Sequence, residues 1–146
     1  MRAAVLGAGA VGARVARQLL SGGLVDQVVL RDTDADRLAW VSRSLGERLI
    51  IEHAPFPASL EADVVVVATP GGTQLPALVD ALAHQRPVIT TGDGLAETVS
   101  MLKLSLQAKE AGVPVVLGAG FAPGLSCVLA AHGAMWLDHV EEIHVA

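Results

Sequence analysis

Along the chain, apolar positions follow two alternating rhythms. Apolar, strand-like runs mark strand candidates at Ala3–Leu6, Val28–Arg31, Leu49–Glu52, Asp63–Ala68, Pro87–Thr90 and Pro114–Leu117. Between them the apolar positions are spaced for a helix. Val11, Val15 and Leu19 form one such set, and Leu38, Val41 and Leu45 a second. Leu75, Leu78, Val79 and Leu82 form a third, and Val99, Leu102 and Leu106 a fourth. Runs without alternation fit strands buried on both faces, and the longer period fits helices with one buried stripe. Strand and helix in repetition predict right-handed crossovers and an α/β fold, a doubly wound parallel sheet in three layers. A last helical pattern carries Leu125, Val128, Leu129, His132 and Trp136. Val140, Ile143 and Val145 then read as the opening of another strand. Whole domains usually complete their sheets, so residues 1–138 are expected to form one domain. Residues 139–146 are expected to begin a second, substrate or dimerisation domain that is mostly absent.

Composition narrows this picture. Of 146 residues, 52% are hydrophobic and only 3% aromatic, so the core is built from small aliphatic side chains. The formal net charge of −5 argues against nucleic-acid partners and anionic membrane surfaces. No apolar run approaches the ~18 residues of a membrane span. Arg14 and Arg17 interrupt what would otherwise resemble a leader segment. A single cysteine, Cys127, excludes an intrachain disulfide framework, and a cytoplasmic location is expected.

The first candidate chemistry is "GAGAVG", with Gly7, Gly9 and Gly12 in G-x-G-x-x-G spacing between a strand and a helix. Gly7 permits the tight turn, Gly9 lets backbone approach a pyrophosphate, and Gly12 lets helix pack closely on strand. The helix N-terminus offers unpaired N–H groups to phosphate. This points to a dinucleotide-binding Rossmann fold, with Ala8, Ala10 and Val11 completing the phosphate turn.

Such a fingerprint needs an acid at the end of the second strand, about 20 residues further on. "VVLRDTDADRL" offers three aspartates. Thr33 and Asp36 fit a capping box, and Asp34 falls in the first helical turn. Asp32 remains for the adenosine ribose, which favours NAD. Arg31 and Arg37 keep NADP open, because arginine accepts a 2′-phosphate, and Thr33 stands where an NADP enzyme would often place one.

The fourth strand ends in Thr69-Pro70-Gly71-Gly72 and the fifth in "VITTGDG". In strand order 3-2-1-4-5-6 the fourth strand lies beside the first, so Ala68, Thr69, Pro70 and Thr91 would line the cofactor crevice. Asp93 could serve as acid or base, but its Asp-Gly pair reads as turn chemistry. Cys127 at a helix start could be a thiolate, yet reads better as a small core residue. His53, His84, His132, His139 and His144 show no metal-ligand spacing, and His132 reads as a packing residue beside Leu125 and Trp136. No metal and no catalytic residue is assigned.

A second glycine turn, "VLGAGFAPGLSCVLAAHGA", follows the sixth strand. With the first fingerprint, "VVVVATP" and "VITTGD" in the same order, it resembles the saccharopine dehydrogenase/reductase family over nearly the whole chain. The family's G-x-x-P-G turn falls on Gly120, Phe121, Ala122, Pro123 and Gly124, with Ala122 where the family often carries Asp. The resemblance implies an NAD(P)-binding oxidoreductase that moves hydride between nicotinamide and an imine or amine of a small, amino-acid-like substrate. It also implies acid/base residues mainly in a second domain, so this chain alone would be inactive, and it allows a homodimer. Two other readings stay open. One is a non-catalytic NAD-sensing regulatory domain, and the other a dihydrodipicolinate-reductase-like enzyme. Sugar-type oxidoreductases usually place lysine just after the fifth strand, whereas Lys103 and Lys109 fall on the following helical stretch.

Overall fold

A computed structural model describes residues 1–55 and 61–144. Its elements run β1 (Arg2–Leu6), α1 (Ala10–Ser21), β2 (Gln27–Asp32), α2 (Ala35–Ser42), β3 (Leu49–His53) and β4 (Val64–Val67). They continue with α3 (Gln74–Ala83), β5 (Val88–Thr90), α4 (Leu95–Leu102), α5 (Ser105–Ala111), β6 (Val115–Val116) and α6 (Leu125–Ala134). All pairs are parallel, in the order β3-β2-β1-β4-β5-β6 expected from the sequence.

β1 shows why the apolar runs do not alternate. Ala3 and Val5 face one core with Val28 and Leu30 of β2, Ala16 and Leu20 of α1, and Leu38 and Val41 of α2. Ala4 and Leu6 face the other, with Val65 and Val67 of β4, Ala77, Leu78, Ala81 and Leu82 of α3, Met101 and Ala108. A strand between two helical layers is apolar on both faces because neither meets water.

Several helical stripes differ from expectation. In α1 the buried positions are Gly12, Ala16 and Leu20, while Val11 is 49% exposed and Val15 and Leu19 only flank the core. The close seat of Gly12 fixes the rotation of this helix and turns Val11 outward. Val79 of α3 is exposed for a similar reason, since Ala77, Leu78, Ala81 and Leu82 take the sheet side. The pattern through Val99, Leu102 and Leu106 is two helices, not one. The chain turns at Leu104, whose N–H donates to the Met101 carbonyl at 3.0 Å. Met101 and Ala108 are buried while Val99, Leu102 and Leu106 are exposed, because a break resets the helical phase. No strand forms over residues 140–144, and Val145 lies outside the described residues.

The last helix is the largest departure. α6 has no buried residue; Leu125, Val128 and Leu129 are exposed, as are Met135, Trp136 and Leu137 beyond its end. Cys127 is therefore exposed rather than a core residue. His132 is also exposed, and its ring meets that of Trp136 edge-on, with centroids 6.2 Å apart. Amino-acid type predicts burial only where enough packs on the helix, and here the cover leaves no residue of α6 buried.

Candidate functional site

Strand register lays out the site. Leu6 of β1 pairs with Arg31 of β2 on one side and Val67 of β4 on the other, and Val67 pairs with Thr90 of β5. The residues just past this row, Gly7, Asp32, Ala68 and Thr91, lie at one end of the sheet, where the chain leaves β1 and β4 for helices in opposite layers. An open cleft of about 360 Å³ runs there, lined from Asp32 and Arg37, past Gly9 and Thr69, to Gly92 and Asp93. It shares Asp32, Arg37, Thr69 and Pro70 with a second hollow that Thr33 also lines.

The three glycines do different work. Gly7 adopts φ 97°, and its N–H donates to the Arg31 carbonyl at 2.8 Å. A Cβ on Gly12 would lie 1.8 Å from the Gly7 carbonyl oxygen, so helix and turn touch only because residue 12 is glycine. Gly9 has nothing within 4 Å of where its Cβ would be. It caps α1 with extended backbone, no side chain bonds to the cap, and the first turn carries no acid. The N-terminal N–H groups of α1 thus face the cleft without a resident anion.

Asp32 is 6% exposed. Its Oδ2 accepts from the Ala8 N–H at 2.6 Å, and its Oδ1 from the Asp34 N–H at 2.9 Å. Arg37 lies 3.4 Å from Oδ2 and reaches Asp34 at 3.3 Å. Burial opposes ionisation of Asp32, but the two N–H donors and the Arg37 guanidinium outweigh it, so its carboxyl is held below its ordinary value. Arg31 points elsewhere: it pairs with Glu52, its register partner on β3, through Nε at 2.9 Å. The α2 cap is Asp34, accepting from Arg37 N–H at 2.9 Å, rather than Thr33. The cap moves one residue on, and with Arg37 three residues after it no capping box forms; the Thr33 carbonyl instead meets His53 Nε2 at 3.0 Å.

On the far wall, Thr69 is buried with its Oγ1 unpartnered, and Thr91 donates its hydroxyl to the Val67 carbonyl at 3.2 Å. The second glycine turn is tied to the same strand. Ala119 N–H donates to the Thr90 carbonyl at 2.7 Å, and a Cβ on Gly120 would sit 2.9 Å from the Thr91 oxygen. That turn therefore brings the start of α6 beside Thr91. Two residues with large roles here escaped the sequence reading. Gln74 is 1% exposed and joins the loops after β4 and β5, and Glu97 caps α3 from α4. No group of three metal-ligating side chains occurs, and no helix is long and apolar enough to cross a membrane, among the described residues.

The residues fit a dinucleotide. Open space at Gly9, a helix N-terminus with no side-chain cap, a buried carboxylate at the β2 tip and Thr69 all line one cleft.

Glu97, like Asp32, is held below its ordinary value; burial opposes this, and N–H donors from Leu75, Gly72 and Gln74 outweigh it. A depressed carboxyl stabilises the folded state above its unfolded value, and the benefit is lost as pH falls. Thermal unfolding followed by circular dichroism should therefore give a flat midpoint down to about pH 5 and a decline below it. Glu97→Gln should remove part of that decline. A midpoint independent of pH down to about 3 contradicts both assignments.

Comparison with known proteins follows this geometry. The sequence profile of a family described as NADP oxidoreductase, coenzyme F420-dependent, matches residues 2–94. Inositol 2-dehydrogenase 2 of Mycolicibacterium vanbaalenii is 30% identical over 120 residues, covering 80% of this chain and 34% of that protein. The chain thus spans about a third of the length of that curated relative. Among solved structures, saccharopine dehydrogenase (L-Glu forming) from Saccharomyces cerevisiae superposes with a TM-score of 0.72 at 17% identity, covering 92% of this chain and 31% of that one. Myo-inositol 2-dehydrogenase from Lactobacillus plantarum gives 0.63 at 21% identity, over 81% and 36%. At these identities the structural likenesses establish the Rossmann fold.

Proposed function

The chain belongs to the NADP oxidoreductase, coenzyme F420-dependent, family, and from that membership we propose that residues 1–138 are the NAD(P)-holding domain of an oxidoreductase. The observation that carries this is the cleft itself: a helix end with no side-chain cap and a buried acid lie together on one side and face Thr69 and Thr91 on the other, where the chain leaves β1 and β4 for opposite layers. The α1 N-terminus from Gly9 to Val11 receives the pyrophosphate, with Gly7 and Gly12 shaping the turn. Asp32, oriented by the Ala8 N–H and flanked by Thr33, accepts from the adenosine ribose. Ala68, Thr69, Pro70 and Thr91 wall the other half. NAD is preferred over NADP, because Asp32 is held ionised and Arg37 is already shared between two carboxylates.

When bound, the nicotinamide gives or takes a hydride. This chain's residues hold and orient it, but supply little proton chemistry. The ionisable side chains lining the cleft are Asp32, Arg37 and Asp93, and only Asp93 lies toward the nicotinamide half. Asp93 sits in the loop before α4, consistent with a turn role. Hydride transfer needs a placed proton donor and exclusion of water, so turnover should require residues beyond those described.

An imine or amine of an amino-acid-like compound is the proposed substrate. The Gly120–Gly124 turn supports this: it shares the pattern of the saccharopine dehydrogenase/reductase family and packs against Thr91. The inositol dehydrogenase relative favours a second reading, a secondary alcohol of a polyol. The exposed apolar surface of α6 is a candidate contact for a homodimer.

Calorimetric titration of the chain with NAD and NADP should show binding of both, tighter for NAD. Turnover should be undetectable with either an oxo-acid plus amine or an inositol. Failure to bind either dinucleotide defeats this reading, and turnover by the bare chain would return Asp93 to the catalytic role.

A further inference from the structure

Two helices point their N-termini toward the cleft, and they differ. That of α1 carries no side-chain partner, while that of α3 is already filled. Thr73, the α3 cap, turns its hydroxyl to the Pro70 carbonyl at 2.6 Å and leaves the helix N–H groups unserved. Glu97, in the first turn of α4, serves them instead. Its Oε1 accepts from Gln74 N–H at 2.7 Å and Leu75 N–H at 2.9 Å, and its Oε2 from Gly72 N–H at 2.7 Å. A carboxylate at a helix N-terminus is favoured by the dipole, and charge-assisted bonds are the stronger kind.

Gln74 makes a second tie beneath the first. Its Nε2 donates to the Thr69 carbonyl at 2.8 Å, and its Oε1 accepts from Gly92 N–H at 3.1 Å. A Cβ on Gly92 would fall 2.8 Å from that amide, so Gly92 leaves the room the amide occupies. Both ties join the loop after β4 to the loop after β5. Those loops carry Thr69, Pro70, Thr91 and Gly92, the half of the cleft away from Asp32.

We propose that Glu97 and Gln74 are positioning residues for the nicotinamide half of the cofactor, locking the loops after β4 and β5 into one wall. Resting on the NAD(P) reading above, this makes the grip on nicotinamide depend on Glu97 and Gln74. The grip on the adenosine diphosphate half, held by α1 and Asp32, does not depend on them. Glutamine at position 97 keeps the length but replaces one acceptor oxygen with an NH₂ that cannot accept. Alanine at position 92 displaces the Gln74 amide without touching Glu97.

Two probes separate the halves: NADH, and ADP-ribose, which lacks nicotinamide. In calorimetry with the 146-residue chain, Glu97→Gln should bind NADH about tenfold more weakly and ADP-ribose within about twofold of wild type. Gly92→Ala should show the same split, and decides the matter if Glu97→Gln does not fold. The fluorescence change of NADH on binding should shrink in both variants. Equal weakening toward both probes, or none toward either, overturns the proposal. Wild-type chain that binds neither probe overturns the cofactor reading, and this proposal with it.

Discussion

Gly9→Val is expected to abolish dinucleotide binding while leaving the thermal midpoint unchanged, and Gly12→Ala is expected to do the reverse damage first. The two glycines stand in one fingerprint, yet their surroundings are opposite. Nothing lies within 4 Å of a Cβ on Gly9, and its φ of −68° suits any L-residue, so valine folds in place and fills the space a pyrophosphate needs. A loss of affinity of at least about 2.7 kcal/mol, a hundredfold, should result, with stability moving by less than about 0.5 kcal/mol. At Gly12 the added carbon would stand 1.8 Å from the Gly7 carbonyl oxygen, backbone against backbone. No rotamer relieves that contact, so the cost should reach the upper end of overpacking, about 3 kcal/mol or more. Unfolding midpoints by circular dichroism, with NAD titration of each variant, check both. A Gly9→Val chain that binds NAD normally removes the phosphate assignment.

Asp32→Ser should weaken NAD by about 1–3 kcal/mol and turn the preference toward NADP. The arrangement of charge gives the direction. Arg37 now divides its guanidinium between Asp32 at 3.4 Å and Asp34 at 3.3 Å. Without Asp32 it is left half free, at the place where a 2′-phosphate would sit. The double variant Asp32→Ser with Arg37→Ala should lose the NADP gain and keep the NAD loss. Asp32 also serves the Ala8 and Asp34 N–H groups, so the single variant should melt earlier. Titrations with both dinucleotides below the lowered midpoint separate the effects. An unchanged preference would place cofactor choice elsewhere than Asp32.

What could be read ahead of the structure was local. The glycine fingerprint, the acid at the β2 tip and the strand order are set by neighbours in sequence and by crossover handedness. Gln74 and Glu97 were invisible because the partners that give them their roles are distant in sequence, Gly92 for one and Gly72, Gln74 and Leu75 for the other. Glu97 in a first helical turn looks like an acid serving its own helix, and nothing in the sequence around it shows that it reaches back to Gly72. Arg31 and Arg37 looked equivalent until register paired Arg31 with Glu52. Cys127 failed as a core residue for a different reason, while His132 packs on Trp136 as read but out in the open. A hydrophobic pattern says that a face wants cover, and the cover on α6 leaves none of its residues buried.

The central place of β1 ties assembly to the site. β1 leaves the chain first, pairs early with β2, and meets its other neighbour only when Val64 arrives opposite Ala3. The segments β1-α1-β2-α2-β3 and β4-α3-β5-α4-α5-β6 can each form through short crossovers, leaving one long-range seam to close between them. Contacts far apart in sequence are the slow ones. The cleft straddles that seam, with Gly9 and Asp32 on one side and Thr69 and Thr91 on the other. A ligand spanning it binds only the joined state and, by mass action, draws the two segments together. The cleft is thus also the place where a bound small molecule would act as a clasp on the fold.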